Sequence, residues 1–318
     1  MLSRVAESVY WTGRYIERAE ATSRLLHVKF HALLDGDIPD RGASWRELLL
    51  LLGKDALYRE HHDEYTARDV ADFLLWHPAN PDAATRCITQ ARENARGVRE
   101  QLSSELWEHL NRMHLRLSDW RPSGILGGPH EFFVRIRDGS FALQGIAKAT
   151  LPRGDAHEFL ELGAHLERAD VVARVLYSRA PRLVLASSDA RVAELLKSCG
   201  GFEACRRREQ GELSAWQAVD FLLREGSFPR SVLFCLARCH DAVLQISGDA
   251  DRPLRALGRV SAELTYGELL GLDATSLGAQ LAQLRRGIDA AGEEISATYF
   301  TTHVVIPGPI AHQEQQQQ

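Results

Sequence analysis

Apolar residues recur every three or four positions along most of this chain. No segment shows the strict apolar–polar alternation that marks a β-strand. A period near 3.6 residues is that of amphipathic helices, and it predicts long helices over residues 83–99, 104–117, 132–149 and 274–300. The sequence therefore predicts an all-α protein.

Helix start signals occur in matching pairs. Residues 66–69 (Thr-Ala-Arg-Asp) and 214–217 (Ser-Ala-Trp-Gln) both precede an Asp-Phe-Leu-Leu segment, and the second has the form of a capping box. Pro81 and Pro229 also match. We expect each proline in the first turn of the helix that follows, with Asn80 as the cap of the first of these helices.

Other residues recur in the second half of the chain at nearly constant spacing. Gly13–Glu20 matches Gly163–Asp170 at an offset of 150 residues, and Asp72–Leu75 matches Asp220–Leu223 at an offset of 148. Single-residue matches at offsets of 147 or 148 are Gly53 with Gly200, Pro81 with Pro229, and Cys87 with Cys235. Several collinear matches at nearly one offset indicate an internal duplication.

The duplication and the loop signals divide the chain into four segments. Residues 1–120 are predicted to form one helical repeat and residues 151–300 a second. Residues 121–150 contain a loop rich in proline and glycine, followed by a bridging helix. Residues 301–318, which end in four glutamines, predict a disordered tail. We therefore expect a pseudo-two-fold helical bundle made of two tandem repeats.

Charge and cysteine content exclude several classes of function. A formal net charge of -5 does not favour a nucleic-acid binder. The five cysteines have no disulfide spacing, which indicates a reducing compartment. The longest aliphatic run, Leu48–Leu52, is far shorter than the roughly 20 residues of a membrane span, and the start lacks a signal-peptide core. We expect a cytoplasmic protein that binds no membrane.

The repeated Glu-Arg-Ala-acid motif places two acids and one arginine on one helix face. The sets are Glu17, Glu20 and Arg24 in the first copy, and Glu167, Asp170 and Arg174 in the second. A carboxylate among apolar neighbours needs a partner, because an unpaired buried charge is costly. The arginine four residues after the second acid is the obvious local partner.

Three interpretations of this motif compete. The first is a structural network of salt bridges between helices. The second is an anion or peptide groove lined by the acids together with Arg14, Arg18 and Arg168. The third is a two-metal site made of the four acids. No histidine follows either acid pair at the Glu-x-x-His spacing of bundle di-metal sites, so we expect no metal there.

A second dense set of polar residues lies between the two motif copies. Its members are Arg92, Glu93, Asn94, Arg96, Glu105 and Asn111. One interpretation is an ion-pair face, solvated or between helices. The other is that Arg96, Asn94 and Asn111 donate hydrogen bonds to a carboxylate or a phosphate. The sequence does not decide between them.

These motifs together resemble the alpha-E family, a bacterial family with no established reaction. The resemblance rests on Met1–Glu20, Ala91–Arg96, Ser103–Asn111, Leu162–Asp170, Phe228–Val232 and Thr298–Phe300, and it extends to about Phe300. The chain departs from the family pattern over residues 147–157. It also has Ala164-His165 where the family has Arg-Tyr, so a site there would bind differently.

The resemblance implies a role beside other proteins. Members are typically encoded next to, or fused to, a circularly permuted ATP-grasp protein, often with a transglutaminase-like peptidase as a neighbour. These neighbouring proteins imply ATP-dependent ligation of a peptide or amide, followed by cleavage of the product by the peptidase. No cofactor of its own is implied, and ATP would enter only through the partner.

Three functions follow as hypotheses. The first is an accessory helical module that binds the ATP-grasp ligase or its peptide substrate. The second is an enzyme acting on a peptide or amide, with Glu17 or Glu167 as general base and nearby arginines holding a carboxylate. The third is a structural scaffold that forms a homodimer.

Overall fold

Helices account for all the regular structure of the residues that the structure describes. The computed structural model describes residues 1–35, 40–117, 130–247, 251–268 and 271–300. Those ranges contain fourteen α-helices, one short 3-10 helix over Arg99–Gln101, and no β-strand. In chain order the α-helices are α1 Ser3–Asp35, α2 Arg41–Leu51, α3 Asp55–Arg59, α4 Ala67–Leu75, α5 Ala84–Gly97, α6 Ser104–Leu115, α7 His130–Thr150, α8 Asp155–Leu185, α9 Asp189–Ser198, α10 Phe202–Glu209, α11 Ala215–Arg224, α12 Val232–Ile246, α13 Asp251–Tyr266 and α14 Ala274–Tyr299. The all-α prediction is confirmed.

The long helices predicted from periodicity coincide with α5, α6, α7 and α14 to within a few residues. The caps predicted at Thr66 and Ser214 are present too. The Thr66 hydroxyl accepts a hydrogen bond from the Asp69 N–H at 3.0 Å. Ser214 and Gln217 form both hydrogen bonds of a capping box at the start of α11. These signals act within one turn of chain, so they can be recognised from the sequence.

The expected positions of the two prolines are wrong by two or three residues. Pro81 and Pro229 lie in turns, and the helices after them start at Ala84 and Val232. Asn80 does not cap α5, because its side chain holds the turn itself. Its carbonyl oxygen accepts from the Asp82 N–H at 3.1 Å, and its amide donates to the carbonyl of Phe73 at 3.0 Å. This Asx-type bonding competes with helix capping.

The two longest helices, α1 and α8, form the centre of the fold. Their closest approach is at Gly13 and Gly163. A Cβ at Gly13 would collide with the carbonyl oxygen of Leu160, and a Cβ at Gly163 would collide with that of Tyr10. Each glycine therefore lies directly against the backbone of the other helix. Gly13 precedes Glu17 by four residues, and Gly163 precedes Glu167 by four residues. The helices α5 and α7 pack on α1, and α12 and α14 pack on α8.

Two turns at corresponding places have the same backbone geometry. Gly53 ends α2 with a φ of 68°, and Gly200 ends α9 with a φ of 67°. In both turns the next residue donates its N–H back to a helix carbonyl, Lys54 to Leu49 at 2.8 Å and Gly201 to Leu196 at 2.8 Å. A left-handed residue at a helix end favours glycine, which explains why this match recurs at an offset of 147.

Part of the predicted organisation lies outside the described residues. This applies to the tail at 301–318 and to the predicted loop rich in proline and glycine, which falls within residues 118–129. The division into repeats stays a prediction. Within the described ranges, no helix combines the length and apolar character needed to cross a bilayer.

Candidate functional site

The motif glutamate of α1 forms a buried ion pair with the motif arginine of α8. Arg168 donates from Nε to Oε1 of Glu17 at 2.8 Å and from Nη2 to Oε2 at 2.7 Å. The Glu17 side chain is 1% exposed and that of Arg168 is 7% exposed. A fork of two parallel charge-assisted bonds is the strongest geometry available to this pair of groups.

The second motif makes the same pair in the opposite direction. Arg18 donates from Nε to Oε1 of Glu167 at 2.6 Å and from Nη2 to Oε2 at 2.9 Å. Arg14 adds a third bond to this carboxylate, from Nε to Oε2 at 2.5 Å. The Glu167 side chain is 3% exposed. Each glutamate is therefore bound by the arginine that follows the other helix's glutamate.

The remaining nitrogen of each motif arginine binds a turn. Arg18 Nη1 donates to Asp82 at 2.7 Å, just before α5. Arg168 Nη1 donates to the carbonyl of Pro229 at 3.2 Å, just before α12. These are the two proline turns that match at an offset of 148. Each motif arginine thus joins the opposite long helix to a turn of its own half of the chain.

Sequence reasoning did not single out Asp82, Arg230 or Gln144 of this network. Arg230 donates to Glu17 at 3.0 Å and forms an ion pair with Glu20 at 3.2 Å, and Gln144 of α7 donates to Glu17 at 3.0 Å. A signal for Arg230 existed, since it follows Pro229 and corresponds to Asp82 at the offset of 148. Gln144 carried no such signal.

The local pairs expected at a spacing of four residues are present. Arg174 donates to both carboxylate oxygens of Asp170, at 2.9 and 2.7 Å, and Arg24 pairs with Glu20. The acids of these pairs are almost fully buried, whereas Arg174 is a third exposed. All four acids of the two motifs therefore face arginines, an arrangement that would repel a metal ion.

Burial alone would raise the pKa of both motif glutamates, but the surrounding arginines outweigh it. Arg168 and Arg230 hold the pKa of Glu17 well below its usual range. Arg14 and Arg18 lower the pKa of Glu167. A general base works best when its pKa lies near the working pH. Two sealed, strongly ionised carboxylates suit the structural interpretation of the motif better than the general-base one.

The set between the motifs forms a separate surface network on α5 and α6. Arg92 donates to the side-chain oxygen of Asn111 at 3.1 Å and pairs with Glu93, which also binds Arg96 at 2.6 Å. Arg92 also lies over the ring of Trp107. Arg96 is more than half exposed, Asn94 is partly exposed, and Glu105 is exposed. No ion pair between described residues joins this network to the buried one.

A groove of about 970 Å³ lies beside the ion-pair network, between α1, α2, α7, α8, α9 and α10. Seven arginine or lysine side chains line it against three glutamates. The basic residues are Arg24, Lys29, Arg137, Arg179, Arg182, Arg191 and Lys197, and the acidic ones are Glu47, Glu194 and Glu203. Arg24 is the one candidate site residue that both contacts the buried acids and lines this groove.

The charges in the groove are only partly neutralised. Lys29 and Arg179 share Glu194, at 3.5 and 3.3 Å. Arg191 and Lys197 are exposed and form no salt bridge with a described residue. Two histidines of α1, His27 and His31, complete one wall. Burial, followed by the neighbouring His31 and His130, lowers the pKa of His27 to about 4, so this imidazole is neutral at neutral pH.

Comparison with known proteins gives a family and distant relatives. The Alpha-E family, a predicted alpha-helical domain with a conserved ER motif, matches residues 1–300. An uncharacterized protein of Mycobacterium bovis and one of Mycobacterium tuberculosis are each 25% identical over 331 residues, covering 96% of this chain. The chain spans 37% of the length of these curated relatives. No solved structure matches.

The buried reciprocal ion pairs join the two Glu-Arg dipeptides, at 17–18 and at 167–168. Both dipeptides lie within the residues that the family matches. This chain belongs to the Alpha-E family.

Proposed function

We propose that this chain is a helical binding module that holds an acidic peptide for an ATP-grasp ligase. The observation that carries the proposal is the basic groove beside the motif helices. Its seven cationic side chains outnumber its three acidic ones, and Arg191 and Lys197 are exposed without a carboxylate partner among the described residues. Arginine and lysine bind carboxylates through charge-assisted hydrogen bonds, so a peptide rich in carboxylates is the complementary ligand.

In this proposal the Glu-Arg motif is structural. The carboxylates of Glu17 and Glu167 are bound by arginines on both oxygens and are almost fully buried, so they are not presented to a substrate. The motif fixes the crossing of α1 and α8, and it thereby positions Arg24 at the groove. The two halves are copies of one helical unit related by a pseudo-two-fold axis. The reciprocal pairs and the matched turns at Gly53 and Gly200 support this relationship.

The ATP-grasp partner comes from the family resemblance, and ATP would be bound by that partner. The greater length of the curated relatives supports a module that works beside other segments. A transglutaminase-like peptidase acting after ligation and a cytoplasmic location belong to the same proposal. Co-purification with the neighbouring ATP-grasp protein, with and without ATP, tests the partnership, and absence of a complex in both conditions contradicts it.

Peptide binding can be tested without the partner. A fluorescein-labelled hexaglutamate peptide should bind the full chain in an anisotropy titration. Replacing both Arg191 and Lys197 with alanine should weaken binding about tenfold or more, because two charge-assisted contacts are lost. Arg255→Ala is the matched control, since Arg255 is exposed and outside the groove. Equal affinity of the double variant and the wild type would contradict the proposal.

A further inference from the structure

Three histidines come together where α1 meets the start of α7. His27 and His31 lie on successive turns of α1, and His130 is the first residue of α7. Among the described residues they are the one group of three or more His, Cys, Asp or Glu side chains close enough to share a metal ion, with ligand atoms within 4.8 Å of one another. A spacing of four residues places two side chains on one helix face, as a shared ion requires.

Two of the contacts between these rings compete for one nitrogen, which is more than hydrogen bonding alone can satisfy. His27 Nε2 lies 2.8 Å from His130 Nδ1 and 2.9 Å from His31 Nε2. In a neutral imidazole each ring nitrogen carries either one hydrogen or one lone pair. His27 Nε2 can therefore make a normal hydrogen bond to one neighbour but not to both. A cation between the three nitrogens would turn two competing contacts into three bonds.

We propose that His27, His31 and His130 form a zinc site at the wall of the groove. Imidazole is a preferred ligand of Zn²⁺, and sites with three histidines keep a fourth position for water or substrate. Zn–N bonds of about 2.0–2.1 Å in a tetrahedral site place the nitrogens about 3.4 Å apart, so His27 Nε2 would move roughly half an ångström away from each of its two neighbours. His31 and His130 are exposed, which gives the ion a route of entry.

The surroundings indicate which fourth ligand the ion would take. Arg24 and Arg137 line the same groove as His27 and His31. Their positive charges oppose a bare dication and favour one that carries an anion, such as hydroxide or a carboxylate. His27 and His31 also line the groove, so an acidic ligand there would be near the ion. The zinc site does not depend on the proposed peptide function, because the three histidines alone would hold the ion.

The full chain, produced without a histidine tag and stripped with a chelator, should be titrated with zinc sulfate by calorimetry. We expect one strong site per chain. His31→Gln and His130→Gln, tested separately because both residues are exposed, should each lower the affinity at least about tenfold, since losing even an outer-shell partner costs that much. Co²⁺ in place of zinc should give the visible absorption of tetrahedral cobalt, and this signal should be lost in both variants.

His61→Gln is the matched control. His61 is an exposed histidine near His62 and His77. The ring nitrogens of these three histidines are not close enough to one another to share a metal ion. His61→Gln should leave zinc affinity unchanged. The proposal is overturned if the wild type takes up no zinc. It is also overturned if the His31 and His130 variants bind as well as wild type, or if His61→Gln weakens binding to the same degree.

Discussion

Glu17 and Arg168 are 151 residues apart in sequence but form a two-pronged ion pair, with both side chains almost fully buried. The equivalent residues of the other motif copy pair with the same atoms in the reverse direction. Neighbouring residues on a helix point about 100° apart, and in this motif the adjacent Glu and Arg do not pair with each other. Each instead reaches across to the other helix, which explains why a motif of two adjacent charges is useful at a helix crossing.

Removing the Glu17 charge should strongly destabilise the fold. Glu17→Gln leaves Arg168 and Arg230 buried without their shared carboxylate, and breaking a buried pair in this way costs about 3–5 kcal/mol. Urea unfolding followed by circular dichroism at pH 7 measures the loss.

Asp241→Asn is the control for this variant, since Asp241 pairs with Arg238 at the surface and should change stability by less than about 0.5 kcal/mol. A Glu17→Gln variant as stable as the control would show that the pair is not structural, and would return Glu17 to the candidate catalytic residues.

Stability should fall as the pH is lowered below about 5. Arginines hold the pKa of Glu17 and Glu167 below their ordinary value of 4.5, and His165 lowers the pKa of Glu161 to about 2 against the effect of burial. Near pH 4 the unfolded chain therefore binds more protons than the folded one, so acid favours unfolding. The stabilisation by these carboxylates is fully present above their pKa values in the unfolded chain. It is lost as the pH falls through their pKa values in the folded chain.

The free energy of unfolding, measured by urea titration from pH 7 to pH 3, should show this decline. Glu17→Gln should have a shallower slope than wild type, because one titrating carboxylate is gone, while Asp241→Asn should keep the wild-type slope. Identical slopes in wild type and Glu17→Gln would contradict the low pKa of Glu17.

The glycine crossing should tolerate no side chain. Gly163→Ala places a methyl group on the carbonyl of Tyr10, a backbone atom that cannot move aside, so we expect a loss of about 1–3 kcal/mol or more. Gly145→Ala, in α7 with open space around it, should stabilise by up to about 1 kcal/mol through helix propensity. Thermal unfolding of both variants decides this, and a Gly163→Ala protein as stable as wild type would rule out the close crossing.

The five cysteines should be unreactive in the native protein. All are buried and free, and burial raises their pKa values, that of Cys87 to about 12 and that of Cys205 to about 11. Because the thiolate is the reactive form, Ellman's reagent should modify them slowly in buffer and rapidly in urea. Fast modification of even one thiol in the native protein would show that it is more accessible than its surroundings indicate.

The sequence was informative where the interactions are local. The helix period, the caps at Thr66 and Ser214, and the pairs Glu20–Arg24 and Asp170–Arg174 act within one or two turns. The exchange of partners between the two Glu-Arg dipeptides could not be read in this way, since it depends on how α1 crosses α8. A helical wheel shows that Glu17 needs a partner but not that the partner is Arg168.

The groove and the histidine group were missed for the same reason. Their residues come from helices far apart in the chain, and His130 lies 99 residues beyond His31. Metal-ligand spacing can be recognised only when the ligands lie on one short segment, and here just His27 and His31 do. Arg230 could have been identified from the sequence, because its offset of 148 residues from Asp82 equals the offset between Pro81 and Pro229.

The most direct test of the account is a double-mutant cycle on Glu17 and Arg168. Glu17→Gln, Arg168→Gln and the double variant should be unfolded in urea at pH 7 beside wild type. If the two side chains bind each other in the core, the double variant should be more stable than the sum of the single losses predicts, by about 1–3 kcal/mol. Additive losses, within about 0.5 kcal/mol, would mean that the two residues do not interact and would contradict the reciprocal pairing.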